Sequence, residues 1–154
     1  MVPCGHAGEL PDDDQVWRRF ISSPNHRTWD SDVGRYIPNL GDLQFDPEMS
    51  TYWRQHLRMH GKGPSSVLEG DSRYDLVGQL AINQVRGEGF PVEQTPHQES
   101  PIGCAHVSIY WPPESIQPGH KEPFRDQRKL LRTKLAHGLT WVHGEMPTIG
   151  PPGA

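Results

Sequence analysis

The hydrophobic positions of this chain change period several times, and each change marks an element. In CAHVSIYW, residues 104–111, Cys, His, Ser and Tyr alternate with Ala, Val, Ile and Trp. That period of two predicts a strand, ended by Pro112-Pro113. RYDLVGQLAINQVRGEGF opens with the apolar residues of a strand and runs into a short helix closed by Gly87 and Gly89. FPVEQ reads as a short edge strand, because Pro91 has no N–H to give to a ladder. Over residues 122–137, Phe124, Leu130, Leu131 and Leu135 fall on roughly one face of a helix with Gly138 as its C-cap, and LTWVHG follows as a last strand. PDDDQVWRRFIS predicts another helix: its aspartates suit the N-terminal end, and Val16, Trp17, Phe20 and Ile21 supply an apolar face before Pro24. NHRTWDSDVGRYIPNLGDLQFDPE reads as an ordered loop with at most short strands. MSTYWRQHLRMHGKG fits either a strand over 49–53 or a helix over 50–60 stopped by Gly61. GPSSVLEG suits a single helical turn capped by Ser65 or Ser66.

Together these elements predict an α+β fold: a small, mainly antiparallel sheet with two or three helices and many loops. Residues 1–10 read as a flexible lead, 11–144 as a single domain and 145–154 as a loose tail. Composition points to a modest core, with 33% hydrophobic residues, 16 Gly, 16 Pro and a mean hydropathy of -0.73. Five Trp, four Tyr and four Phe argue against wholesale disorder. No apolar run approaches the roughly 20 residues that span a bilayer. The opening MVPCGHAGELPDDD has neither the basic nor the apolar segment of a signal peptide. A cytoplasmic protein without membrane partners is therefore expected, with both cysteines reduced and a Cys4–Cys104 bridge as the alternative.

Charge adds a surface. The net charge is -4, yet KEPFRDQRKLLRTK carries six Lys or Arg against two acids. This basic helix, through Arg125, Arg128, Lys129 and Arg132, together with exposed aromatics such as Trp111 or Trp141, predicts a module that binds another protein. The acidic balance argues against a dedicated nucleic-acid binder, and no aromatic-interleaved RNA motif accompanies the helix. Contact of the same helix with nucleic-acid phosphates remains a third expectation.

Candidate chemistry centres on two Cys-x-His pairs, Cys4 with His6 and Cys104 with His106. Residues i and i+2 of a strand share a face, so Cys104 and His106 can reach one ion there. Zinc accepts two thiolates and two imidazoles in a tetrahedral set, although the usual spacings of structural zinc sites are absent. Packing of Cys104 as a small hydrophobe, with His106 hydrogen-bonded and no cofactor, is the competing expectation. In HLRMH, His56 and His60 stand one helical turn apart, but Leu57 occupies the place of a metallopeptidase glutamate, so exposed histidines are expected. HGKGPSS lacks the spacing of a phosphate-binding P-loop, and a flexible turn is expected, with anion binding at Ser65 and Ser66 as the alternative.

The run MSTYW, SSVLEG, YDLVGQLAINQVRGEGFPV, TP and CAHVSI resembles a family of small uncharacterised bacterial proteins, over roughly residues 15–111. Ser50, Arg86 with Gly89, Pro96, and Ala105 with His106 carry the resemblance. It implies no activity and gives no support to Cys4, His6 or Cys104, but it favours His106. The alternative to partner binding is therefore a small enzyme or zinc protein centred on His106. In it, Arg86 serves as an oxyanion partner, Ser50 or Tyr52 lies nearby, and histidine shuttles protons near neutral pH.

Overall fold

A computed structural model describes residues 10–97 and 101–146. Its strands are β1 (Gln15–Phe20), β2 (Arg27–Asp30), β3 (Arg35–Pro38), β4 (Glu48–Trp53), β5 (Leu76–Ala81), β6 (Val92–Gln94), β7 (His106–Tyr110) and β8 (Thr140–His143). The helices are α1 (Arg54–Met59), α2 (Ile82–Gly87), α3 (Pro101–Cys104) and α4 (Arg125–Gly138). Six strands form one sheet in the order β6-β7-β4-β1-β5-β8 with every neighbouring pair antiparallel, and β2 pairs with β3 in a separate hairpin. The fold is α+β, as the alternating periods predict.

The period-two pattern sorts the sheet into two unlike faces. On one, Val16, Phe20, Met49, Leu76, Leu80, Val107 and Ile109 join Leu131 and Leu135 of α4 and Ile82 and Val85 of α2 in the main core. Gly78 belongs to this close packing: a Cβ there would stand 2.7 Å from the Leu139 side chain. On the other face, Trp17 and Val77 are covered by Leu57 of α1, Val67 and Ala105. That second cluster is small, and the remainder of the face carries polar side chains.

Two segments differ from their expected local structure. The first is the expected helix over PDDDQVWRRFIS, which is strand β1. Only residues 15–21 lie between the aspartates and Ser22, too few to offset helix nucleation, and Val, Trp and Phe suit a pleated surface. The second is MSTYWRQHLRMH, which uses both of its options in succession, β4 passing directly into α1. Leu10, placed in the lead by its sequence, is buried in the main core, and Met146, placed in the tail, packs against it.

Asp14 ties the start of β1 to its neighbours. Its Oδ2 accepts from Trp53 Nε1 at 2.6 Å, its Oδ1 accepts from the Gln15 backbone at 2.7 Å and stands 3.4 Å from Arg54 Nη2, and its carbonyl accepts from the Ile82 N–H. Asp14→Ala removes the carboxylate from a buried position and is expected to cost about 1–3 kcal/mol in denaturant unfolding. Asp14→Asn, which keeps an acceptor, should cost less, and equal losses would show that the hydrogen bonds are not what matters.

Candidate active site

β1 and β4 pair in register only at Val16 with Trp53 and Trp17 with Tyr52, then part. Arg18 fills the gap: its Nη1 donates to the Ser50 carbonyl at 2.7 Å and its Nη2 to the Asp42 carbonyl at 2.9 Å. A guanidinium thus replaces ladder hydrogen bonds where the two strands diverge. The opposite edge of β1 stays fully paired with β5 from Gln15 to Phe20, so the opening is confined to one side.

The opening forms one side of a cleft of about 330 Å³ on the polar face of the sheet. Its floor comes from Glu48, Ser50 and Tyr52 of β4, alternate residues of one strand, with His106 of β7 and Arg18 and Arg19 of β1. Gln44, Asp46, Tyr74 and His97 reach it from the flanking loops. Register explains the assembly: Tyr52 stands opposite His106, and Ser50 opposite Ser108. The Tyr52 and His106 rings meet edge to face at 5.7 Å, and the His97 ring lies 4.5 Å from that of His106.

His106 is held from behind. Its Nδ1 lies 3.0 Å from the Thr95 carbonyl and 2.8 Å from Thr95 Oγ1, which in turn lies 2.7 Å from Ser108 Oγ. A carbonyl only accepts, so Nδ1 carries the hydrogen, and the lone pair of the neutral ring is on Nε2. Burial, and then the charge of His97, lower the His106 pKa below its ordinary 6.5, against the smaller upward pull of the Thr95 hydrogen bond and Glu48. Arg18 also has its pKa lowered, to about 10, chiefly by burial, and stays cationic at neutral pH. Arg19 lies over the Tyr74 ring at 4.4 Å. The cleft therefore combines the neutral His106 imidazole and that of His97, two guanidinium groups, the carboxylates of Asp46 and Glu48, a serine, a glutamine and two phenols.

The lowered pKa fixes the sign of a pH effect. Between the lowered value and 6.5 the unfolded chain binds more protons at this site than the folded one. The contribution of His106 is complete above 6.5 and is lost as pH falls through the lowered value. In an NMR titration His106 should titrate below 6.5, and His97→Gln should move it upward by removing a like charge. An unmoved midpoint in that variant would mean that the His97 charge does not reach His106.

The structure thus brings together His106, Ser50 and Tyr52, as the enzyme reading expects. Arg86 is elsewhere, at the end of α2, where its Nη1 donates to the Leu10 carbonyl at 2.9 Å and to Asp12 Oδ1 at 2.6 Å. The positive charge of the cleft comes from Arg18 and Arg19 instead. A paired arginine inside an apolar run, VWRRF, was the available signal, obscured by the helical reading of that segment.

The Cys-x-His geometry also differs from expectation. Cys104 ends α3, before β7 begins at His106, so the two do not share a strand face. Cys104 is also disulfide-bonded, not reduced, and offers no thiolate to zinc. Cys4 and His6 lie outside the described residues. Among the described residues, the group with metal-like spacing is Asp30, Asp32 and His137, whose ligand atoms lie within 4.8 Å of one another. Its Asp30 carboxylate is already used by His137 Nε2 at 2.7 Å and by the Asp32 and Val33 N–H groups. His56 is buried, not exposed, with its ring 4.7 Å from that of His60.

The basic helix is partly engaged within the chain. Arg132 Nε donates to the Leu43 carbonyl at 2.8 Å and its guanidinium lies over Trp111, while Arg128 donates to Glu122 and to the Pro123 carbonyl. Trp111, expected at the surface, is buried and stacked on Phe45. Arg125 and Lys129 are exposed.

No family model, curated protein or solved structure matches this chain. Its functional reading rests on the geometry of the cleft. No helix among the described residues is long and apolar enough to cross a membrane.

Proposed function

We propose that the cleft is the reactive site of a small hydrolytic enzyme acting on an anionic ester. His106 Nε2 is the general base and Arg18 and Arg19 attract the substrate's negative charge. The observation that carries this reading is the hydrogen bond from His106 Nδ1 to the Thr95 carbonyl inside a polar, arginine-bearing cleft. It holds the neutral tautomer that a base needs and directs the ring. In the reaction, Nε2 takes a proton from water as that water attacks the acyl or phosphoryl centre, then returns it to the departing alkoxide. The guanidinium groups stabilise the charge that develops on the substrate oxygens. Partner capture by α4 is the lesser reading, because Arg132 and Trp111 are used within the fold.

A panel of chromogenic carboxylic esters, phosphomonoesters and phosphodiesters tests the proposal. At least one class should be hydrolysed, and His106→Gln, with its circular dichroism and thermal transition retained, should lose that turnover. Silence toward all three classes, or turnover unaffected by the substitution, overturns the reading.

A further inference from the structure

Beside the cleft, on the same face of the sheet, lies a second depression of about 400 Å³ lined by Trp17, Arg54, Arg58, Lys62 and the loop through Gly63 and Pro64. Its shape follows from how α1 ends. Arg54 and Arg58 are one helical turn apart and share a face. Gly61, at φ 70°, then reverses the chain. The Gly61 N–H donates to the Arg58 carbonyl and the Lys62 N–H to the Leu57 carbonyl, the paired bonds of a Schellman ending. That ending brings Lys62 back beside the two arginines.

The charge here is poorly compensated. Asp14 is the one ion-pair partner of Arg54 among the described residues, at 3.4 Å, and its oxygens already accept from Trp53 and Gln15. Arg58 and Lys62 have no ion pair among the described residues. Arg54 Nε is buried with no hydrogen-bond partner among them. Three cations converge in this way on a chain whose net charge is -4. Like charges one helical turn apart cost stability, and a buried donor without an acceptor costs more. A bound oxyanion relieves the repulsion.

We propose that this depression is a binding site for a phosphate group. Arg54 and Arg58 present forked donors that match the oxygens of a tetrahedral oxyanion, and Lys62 adds a mobile charge. The Trp17 indole N–H is taken by Gln79 Oε1 at 3.0 Å, so the tryptophan gives the floor ring surface and not a further donor. Trp17 and Arg19 are alternate residues of β1, about 7 Å apart along the strand, with Arg19 in the neighbouring cleft. A phosphorylated ligand seated on the three cations can therefore extend toward Tyr52 and the cleft. The site does not depend on the chemistry proposed for His106.

Titration with inorganic phosphate, followed by NMR at the Trp17 indole N–H in about 150 mM chloride, tests the assignment. A saturable shift is expected. The double substitution Arg58→Gln and Lys62→Gln, which leaves the backbone bonds of the Schellman ending intact, should weaken binding about tenfold or more. His106→Gln should leave it unchanged. A shift that does not saturate, or survives the double substitution, overturns the proposal. Loss of binding in His106→Gln would place the anion in the cleft and overturn it equally.

Discussion

Trp111→Ala is expected to destabilise the protein by about 3–5 kcal/mol, measured as a fall in the denaturant midpoint with an unchanged slope. Trp111 follows β7 and is only 6% exposed. Its ring stacks on Phe45 at 3.9 Å, Phe45 stacks on Phe90 at 5.8 Å, and Arg132 covers it at 5.2 Å. The substitution leaves a cavity between a loop, the end of β7 and α4, and it strips the apolar cover from a guanidinium whose Nε is tied to the Leu43 carbonyl. Burial, then repulsion from Arg128, already lower the Arg132 pKa, so this cation depends on its aromatic neighbour. Trp111→Phe keeps part of the stack and should cost clearly less. A loss below about 1 kcal/mol for Trp111→Ala would mean that the aromatic stack is peripheral to the core.

That expectation reverses what the sequence suggests for Trp111, and the reason is general to this chain. Alternation reveals which residues share a strand face but not which face is covered. β7 was legible because His106, Ser108 and Tyr110 alternate with Val107 and Ile109, and β5 running into α2 was legible by its change of period. α4 was legible from Leu131 and Leu135, but it begins at Arg125 and not at Glu122, it includes Gly138, and Phe124 and Leu130 of the expected apolar face are exposed. What covers Trp111 is set by Phe45 and Arg132, which only the tertiary fold brings to it. The misreading of β1 had a different cause. Aspartates that look like helix caps instead terminate a loop, with Asp14 bonded to the first N–H of the strand.

The cleft was half legible for the same reasons. His106 stood out, and Ser50 and Tyr52 were placed near it, but the pairing of Tyr52 with His106 and the splitting of β1 from β4 are non-local. Once Gln15–Phe20 are read as a strand, two consecutive arginines must point to opposite faces, and one of them has to be accommodated within the sheet. Arg18 resolves this by turning into the gap beside β4 and bonding to carbonyls there. The feature that opens the cleft is thus a consequence of placing a charge where the period calls for an apolar side chain. The Cys-x-His reading failed on the same logic, since it assumed the strand begins two residues before His106, where α3 still runs.

If the cleft catalyses the ester hydrolysis proposed above, His106→Gln is expected to lower kcat by about 10²–10⁴-fold while KM changes little, because the ring acts on a proton and the arginines hold the substrate's charge. Arg19→Gln should raise KM and lower kcat together, because its guanidinium both binds the substrate's charge and stabilises the charge that develops in the reaction. In the wild-type protein kcat/KM should rise with pH through the lowered pKa of His106 and then level off, since only the neutral ring accepts a proton. His97→Gln should move that rising limb upward in pH, in step with the His106 midpoint found by NMR. Thr95→Val removes the hydroxyl but keeps the carbonyl that fixes the tautomer, so its effect on kcat should be much smaller than that of His106→Gln. A raised KM with unchanged kcat in His106→Gln would make the histidine a binding group and leave the base to be sought among Asp46 and Glu48, the carboxylates of the same cleft. The rate profile and the NMR titration must move together, because a single imidazole with a single set of neighbours sets both.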